Sequence, residues 1–385
     1  MRVSSMLMIS SVTATVMAVS KSSPTLHSRS SAGKVAMYWG QNGGGTVENN
    51  DLAHYCTSDS GVDIIILSFL YEYGNGNLIP SGTIGQSCSI STHGEPLNCE
   101  PLASAIETCQ SRGVKVILSL GGANGAYSLQ SRTEAETIGQ NLWNAYGNTA
   151  SGTIPRPFGK VFVDGWDFDI ESNNGNQYYP YLISALRSNF ASDPGHMYYI
   201  TGAPQCVIPE PNMASMIQNA KFDWLWVQFY NNPGCAAPDS INYDAWVDWI
   251  QDGQSSNAKI FLGVPASPTA ASGTTSGAQY YLKPRALAEK VDKYRVNPHW
   301  GGIMLWAAGF SDDNTEADCT YAQNGKSILD TGSPCLQSNS ESNSVPHTST
   351  PTTVPFPSST SVATGTVVSQ WGQVSFPSAV VHYGY

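Results

Sequence analysis

Asp164-Gly165-Trp166-Asp167-Phe168-Asp169-Ile170-Glu171 alternates acid with bulk, and it follows the apolar run Val161-Phe162-Val163. Strict alternation reads as a β-strand whose successive side chains point to opposite faces. Asp167, Asp169 and Glu171 then share one face, while Trp166, Phe168 and Ile170 share the other. Neighbours in the acidic row stand about 6 to 7 Å apart along such a strand. Like charges this close raise one another's pKa, so at least one carboxyl can keep its proton near neutral pH. A protonated acid beside an ionised one is what general-acid cleavage of an acetal requires. A metal cluster or a solvated edge strand is the plainer alternative, but a solvated edge would not carry three large apolar residues on its opposite face.

Similar apolar, β-branched runs lie on both sides of this strand. They stand at 35–39, 62–69, 114–120, 161–171, 198–203, 223–230, 259–264 and 302–307, eight in all. Helix-like segments separate them, among them 101–112 closed by Gly113, 134–146 closed by Gly147, and 284–294. Strands alternating with helices imply a parallel sheet, and eight such units over about 300 residues fit a (β/α)8 TIM barrel. A doubly wound sheet is disfavoured because Gly43-Gly44-Gly45 after the first strand lacks the spacing of a phosphate-binding fingerprint. In a barrel the functional groups gather at the C-terminal strand ends. Several runs end there in polar or aromatic residues: Tyr38 and Gln41, Phe69, Glu171, Gln228 with Tyr230 and Asn231, and Trp306.

Composition narrows the partners. The 385 residues carry a net charge of −11 with 18 Lys and Arg, against the basic surface that nucleic acid demands. No anionic membrane surface is implied either. Charged residues make up 12% of the chain, while Trp and Tyr together number 29. That balance suits neutral polar ligands held on aromatic surfaces, or simply a large aromatic core. The seven histidines share no spacing, and none of the eight cysteines lies in a CxxC pair or beside a histidine. No metal and no cofactor is expected.

Residues 1–20 have a basic start, a short apolar core and small residues at the exit, the layout of a secretory signal peptide. An even set of cysteines agrees with an oxidising compartment, so the chain is expected to be secreted, to the extracellular space or cell wall. Residues 21–32 read as a Ser-rich leader, 33–336 as the catalytic domain and 337–385 as a low-complexity tail. Within that tail, 15 of the 21 residues from 346 to 366 are Ser, Thr or Pro, which cannot build a core. The tail is expected to be disordered and dispensable for soluble substrates. Ser369-Gln370-Trp371-Gly372-Gln373 resembles the opening of a small fungal cellulose-binding module, but no cysteine follows to staple it. Truncation or read-through of a longer enzyme is one explanation, and a chance tripeptide is another.

The acidic strand resembles the DGxDxDxE signature of glycoside hydrolase family 18, the retaining chitinases. Met37-Tyr38-Trp39-Gly40-Gln41-Asn42, Leu118-Ser119-Leu120-Gly121-Gly122 and Ala203-Pro204-Gln205-Cys206 are similar to the plant-type, class III branch. So are Val227-Gln228-Phe229-Tyr230-Asn231-Asn232 and Gly302-Ile303-Met304-Leu305-Trp306. The resemblance implies a monomeric barrel that hydrolyses β-1,4 links between N-acetylglucosamine units of chitin or chito-oligosaccharides. It implies Glu171 as the acid, Asp169 as the holder of the substrate's acetamido group and Asp167 as the tuner of Asp169. Tyr230 would donate to the acetamido carbonyl. Tyr38, Gln41, Phe69, Gln228, Asn231 and Trp306 would line the sugar groove, with Trp306 as its floor. An endo-β-N-acetylglucosaminidase of N-glycans, or a non-catalytic lectin or inhibitor on the same barrel, remains open.

The cysteines are expected to pair as 56 with 109, 88 with 99, 206 with 235 and 319 with 335. Cys56 ends one helical segment and Cys109 lies in the next, which are neighbours in a barrel. The other three pairs close short loops.

Overall fold

Strands that bury both faces need no polar side, so their sequences read as unbroken apolar runs. Ile64 to Leu67 and Val116 to Leu118 are such runs, with no exposed surface at any position. The computed structural model describes residues 33–41, 48–150, 152 and 154–336. The expected signal peptide (1–20), leader (21–32) and tail (337–385) lie outside the described residues, as does Asn42.

In chain order the elements are β1 (Lys34–Trp39), β2 (Ile64–Gly74), β3 (Asn77–Ile84), β4 (Cys88–Ile90), β5 (Pro96–Leu97), α1 (Glu100–Ser111) and β6 (Lys115–Gly121). There follow β7 (Ala126–Tyr127), α2 (Arg132–Tyr146), β8 (Gly165–Asp169), α3 (Tyr179–Phe190), β9 (Tyr199–Gly202), α4 (Ala214–Asn219) and β10 (Trp224–Gln228). The chain continues through α5 (Tyr243–Ile250), β11 (Lys259–Pro265), α6 (Pro284–Tyr294), β12 (Trp300–Trp306), α7 (Ala308–Asp312) and α8 (Tyr321–Thr331). The order β1-β12-β11-β10-β9-β8-β6-β2 closes on itself through the β1–β2 pairing, and every pair in the ring is parallel. This is the expected (β/α)8 TIM barrel, and each of the eight expected runs supplies one stave.

Local chemistry sets where helices begin and end. The Ser131 hydroxyl caps α2 by accepting from Glu134 N. Thr320 and Gln323 form a reciprocal capping box on α8, and Gly332, at φ +85°, ends it in the left-handed conformation. Gly139 brings α2 close to α3: a Cβ there would meet Leu182 O at 2.6 Å. The four disulfides join Cys56–Cys109, Cys88–Cys99, Cys206–Cys235 and Cys319–Cys335, as the spacing suggests.

One part of the architecture exceeds the expectation. β2 runs past Phe69 to Gly74, turns at Asn75-Gly76 and returns antiparallel as β3, with β4 and β5 added beyond and β7 laid along β2. Asn75 and Gly76 both have positive φ (+50° and +94°), as a two-residue hairpin turn requires.

Asp164, first of the acidic residues, lies just before β8 and ties it to β6. Buried to 1% exposure, it accepts from Val116 N (2.9 Å), Gln110 Nε2 (3.0 Å) and Lys115 Nζ (2.9 Å). It belongs to the framework, at the opposite end of the strand from Glu171.

Candidate active site

β8 carries Asp167 in the middle of the barrel, Asp169 at its last position and Glu171 two residues beyond. Strand periodicity puts all three on the lumen side, and burial grades them: Asp167 is fully buried, Asp169 is 4% exposed and Glu171 keeps a partly exposed surface.

Asp167 accepts four hydrogen bonds, each from a different strand: Tyr38 Oη (2.8 Å) of β1, Ser119 Oγ (2.7 Å) of β6, Thr201 Oγ1 (2.6 Å) of β9 and Trp226 Nε1 (2.8 Å) of β10. Burial raises its pKa and the four donors pull it down, with burial prevailing. Asp169 is held well above the usual carboxylate range, first by burial, then by the charges of Glu171, Asp167 and Glu210. It accepts from Gln228 Nε2 at 3.2 Å. Burial also raises Glu171, and the nearby Gln228 amide opposes the rise. Asp169 and Glu171 thus titrate as a pair, and one proton is retained where isolated carboxyls would have lost it.

Tyr230, 5% exposed, faces this pair from beyond the end of β10. Burial and the charges of Asp169 and Glu171 push its hydroxyl pKa up, so it stays a donor. Trp306, last in β12 and partly exposed, lies between two aromatic groups. Its ring centroid is 5.4 Å from Tyr38 and 6.2 Å from Phe69, the latter nearly parallel at 21°. It also packs against the small cluster of Tyr230, Ala236, Ala271 and Tyr280.

Eight of the ten candidate residues are therefore joined by hydrogen bonds, charge or ring contact: Asp167, Asp169, Glu171, Gln228, Tyr230, Tyr38, Phe69 and Trp306. Tyr38 reaches the site from beneath, 1% exposed, with its hydroxyl committed to Asp167. Gln41 and Asn231 stand apart at their strand ends. The Gln41 amide donates to Gly40 O (3.1 Å), and the exposed Asn231 donates to Ala271 O (2.7 Å). Among the described residues no group of three His, Cys, Asp or Glu is arranged to hold a metal.

Sequence reasoning missed Ser119, Thr201, Trp226, Tyr127 and Gln205. For Trp226 the signal was present, since it precedes Gln228 and Tyr230 at the same two-residue spacing. Gln205 is 3.2 Å from Gln228 through side-chain amides, and the Tyr127 hydroxyl accepts Glu171 N at 2.9 Å. A retained proton at the mouth, a buried carboxylate behind it, a hydroxyl donor and an indole platform together can protonate a ligand oxygen while holding a neutral polar ring.

Comparison with known proteins agrees with this constellation. The family model for glycosyl hydrolases family 18 matches residues 34–311. "Endochitinase 2" of Metarhizium robertsii is 57% identical over 358 residues, covering 88% of this chain and 84% of that protein. Among solved structures, the ICChI chitinase of Ipomoea carnea has a TM-score of 0.61 at 32% identity, covering 77% of this chain and 99% of its own. The xylanase and α-amylase inhibitor protein XAIP-II of Scadoxus multiflorus has a TM-score of 0.60, also at 32% identity, over 76% of this chain and 97% of its own.

Proposed function

The chain belongs to the glycosyl hydrolases of family 18, and on that premise we propose that it is a secreted endochitinase acting by a retaining, substrate-assisted mechanism. Glu171 delivers its proton to the bridging oxygen between two N-acetylglucosamine units. The bond from that oxygen to the anomeric carbon breaks as the substrate's own acetamido oxygen bonds to the same carbon, giving an oxazolinium ion. Asp169 accepts the acetamido N–H and stabilises the positive charge, and the Tyr230 hydroxyl holds the acetamido carbonyl in line for attack. Water, giving a proton to the Glu171 carboxylate, then opens the ion from the face the leaving group vacated. No carboxylate nucleophile is needed, which sets this chemistry apart from the two-carboxylate scheme of other glycosidases.

The observation that carries the reading is the graded row of carboxylates. Asp167 is saturated by four donors and fully buried, Asp169 keeps 4% exposure at the strand end, and Glu171 is the most accessible of the three. Trp306 offers an indole face of the kind that stacks on the apolar C–H surface of a pyranose, with Phe69 beside it. Secretion is supported by the layout of residues 1–20 and by the four disulfides.

Turnover of a fluorogenic chitotrioside, with proton NMR of the first product, tests the proposal. The β-anomer is expected at early times, and mainly α-anomer would refute the mechanism. A second reading, a barrel that binds without cleaving, is favoured by the likeness to XAIP-II and to other xylanase and α-amylase inhibitor proteins of its kind. Binding of chitotriose without turnover would establish it.

A further inference from the structure

Three side-chain amides run head to tail into the site. Asn232 Nδ2 donates to Gln205 Oε1 at 2.6 Å, and Gln205 Nε2 donates to Gln228 Oε1 at 3.2 Å. Gln228 Nε2 in turn donates to Asp169 Oδ1 at 3.2 Å and to Ala203 O at 2.9 Å. The direction is forced from the inner end. Asp169 Oδ1 and Ala203 O are both acceptors, so Gln228 must face them with its NH2 group. Its carbonyl then points away and needs a donor, which Gln205 supplies. That turns the Gln205 carbonyl toward Asn232, which donates. Reversing Gln228 or Gln205 sets oxygen against oxygen at one junction and N–H against N–H at the next.

The Gln205 backbone is clamped as well. Its N–H donates to Glu210 Oε1 at 3.2 Å, and Glu210, 2% exposed, also accepts from Asn212 N and Met213 N. Gln205 pairs with Gln228 as an isolated parallel bridge, and Gln228 N donates to Pro204 O at 2.9 Å. The Cys206–Cys235 disulfide joins the two loops that carry Gln205 and Asn232. A side chain held this firmly in one orientation has a task besides filling space.

We propose that Gln205, with Asn232 behind it, is a positioning residue for hydrolysis: it fixes which end of the Gln228 amide faces Asp169. The proposal rests on the reading of Asp169 and Glu171 given above. With the relay in place, Asp169 has a donor that favours its ionised form and offsets part of the burial that opposes it. Without the relay, Gln228 is free to present its carbonyl, and the Asp169–Glu171 pair holds its proton to higher pH.

The experiment uses full-length Gln205→Met, which keeps the size but loses the donor, and Asn232→Asp, whose carboxylate forces Gln205 to turn. The pH profile of kcat/KM on the fluorogenic chitotrioside is measured beside the parent, with Glu171→Gln as control. Both variants are expected to lose roughly tenfold in kcat and to move the acid limb upward by about one pH unit, since one pH unit corresponds to the loss of a modest hydrogen bond. Folded variants, checked by circular dichroism, that keep the parent's acid limb would overturn the relay, whatever their loss of Tm. If Gln205→Met does not fold, Asn232→Asp alone decides; it removes the Asn232 Nδ2 bond to Gln205 Oε1 and a longer one to Tyr230 O at 3.4 Å. An inactive parent, or an active Glu171→Gln, refutes the underlying assignment of the site and the relay with it. An active parent with unshifted variants refutes the relay alone.

Discussion

The Tyr127 hydroxyl accepts the backbone N–H of Glu171 at 2.9 Å and donates to Gly122 O at 2.9 Å. Glu171 lies past the end of β8, where no ladder bond fixes its main chain, and this hydroxyl replaces the missing strand partner. Tyr127→Phe removes both bonds and should leave the fold intact but lower kcat by about tenfold, the cost of the one that holds Glu171. Steady-state kinetics beside a circular dichroism spectrum checks this. Activity equal to the parent's would show that Glu171 is held by other means.

Glu171→Gln should abolish hydrolysis while keeping oligosaccharide binding. The amide is nearly isosteric but cannot deliver the proton, and losing general-acid help costs about 10²- to 10⁴-fold. Single-turnover assays and calorimetric titration with chitotriose separate the two quantities. Activity within about threefold of the parent would remove Glu171 from its role.

Stability should fall as pH rises. Burial lifts Glu210 to about 6 and Glu48 to about 8, against about 4.3 for an unfolded glutamate. Between the unfolded and folded values the native state binds more protons, so each pH increment favours unfolding. The contribution is whole below about pH 4 and is lost as pH climbs through about 6 and then about 8. Calorimetric Tm values from about pH 5 to about pH 9 should decline, and Glu48→Gln should flatten the upper part of the decline. A Tm that rises across this window would contradict the assignment.

Peptide mapping without reduction should return the four pairs and no free thiol. Replacing Cys56 and Cys109 together should cost about 4 kcal/mol, against about 3 for Cys88 and Cys99, because their closed loops span 53 and 11 residues. Denaturant melts of the two double variants test the order.

The barrel was legible in the sequence because parallel strands buried on both faces leave contiguous apolar runs, and Ile64 to Leu67 could hardly be anything else. The carboxylate row was legible because strand spacing is fixed at two residues. The hairpin beyond Phe69 was not read, although Asn75-Gly76 stood between its strands. Its residues are mixed in polarity, and Leu78 is itself 39% exposed, so they carry no core pattern. Partners that meet across the lumen left no local mark at all. Thr201 and Ser119 reach Asp167 from strands 34 and 48 residues away in sequence, and only closure of the ring brings them there.

That closure gives Asp167 a part to play before any substrate arrives. Its donors come from β1, β6, β9 and β10, so five of the eight staves, its own included, must be in register for the carboxylate to be satisfied. A slip of one residue in any of them would turn the donor outward and leave a charged oxygen stranded in the lumen. The same residue thus acts as a checkpoint on assembly: misaligned barrels carry a penalty that the aligned one escapes. The outer helices carry none of these four donors, so changes there leave the test untouched, while a shift in strand register fails it.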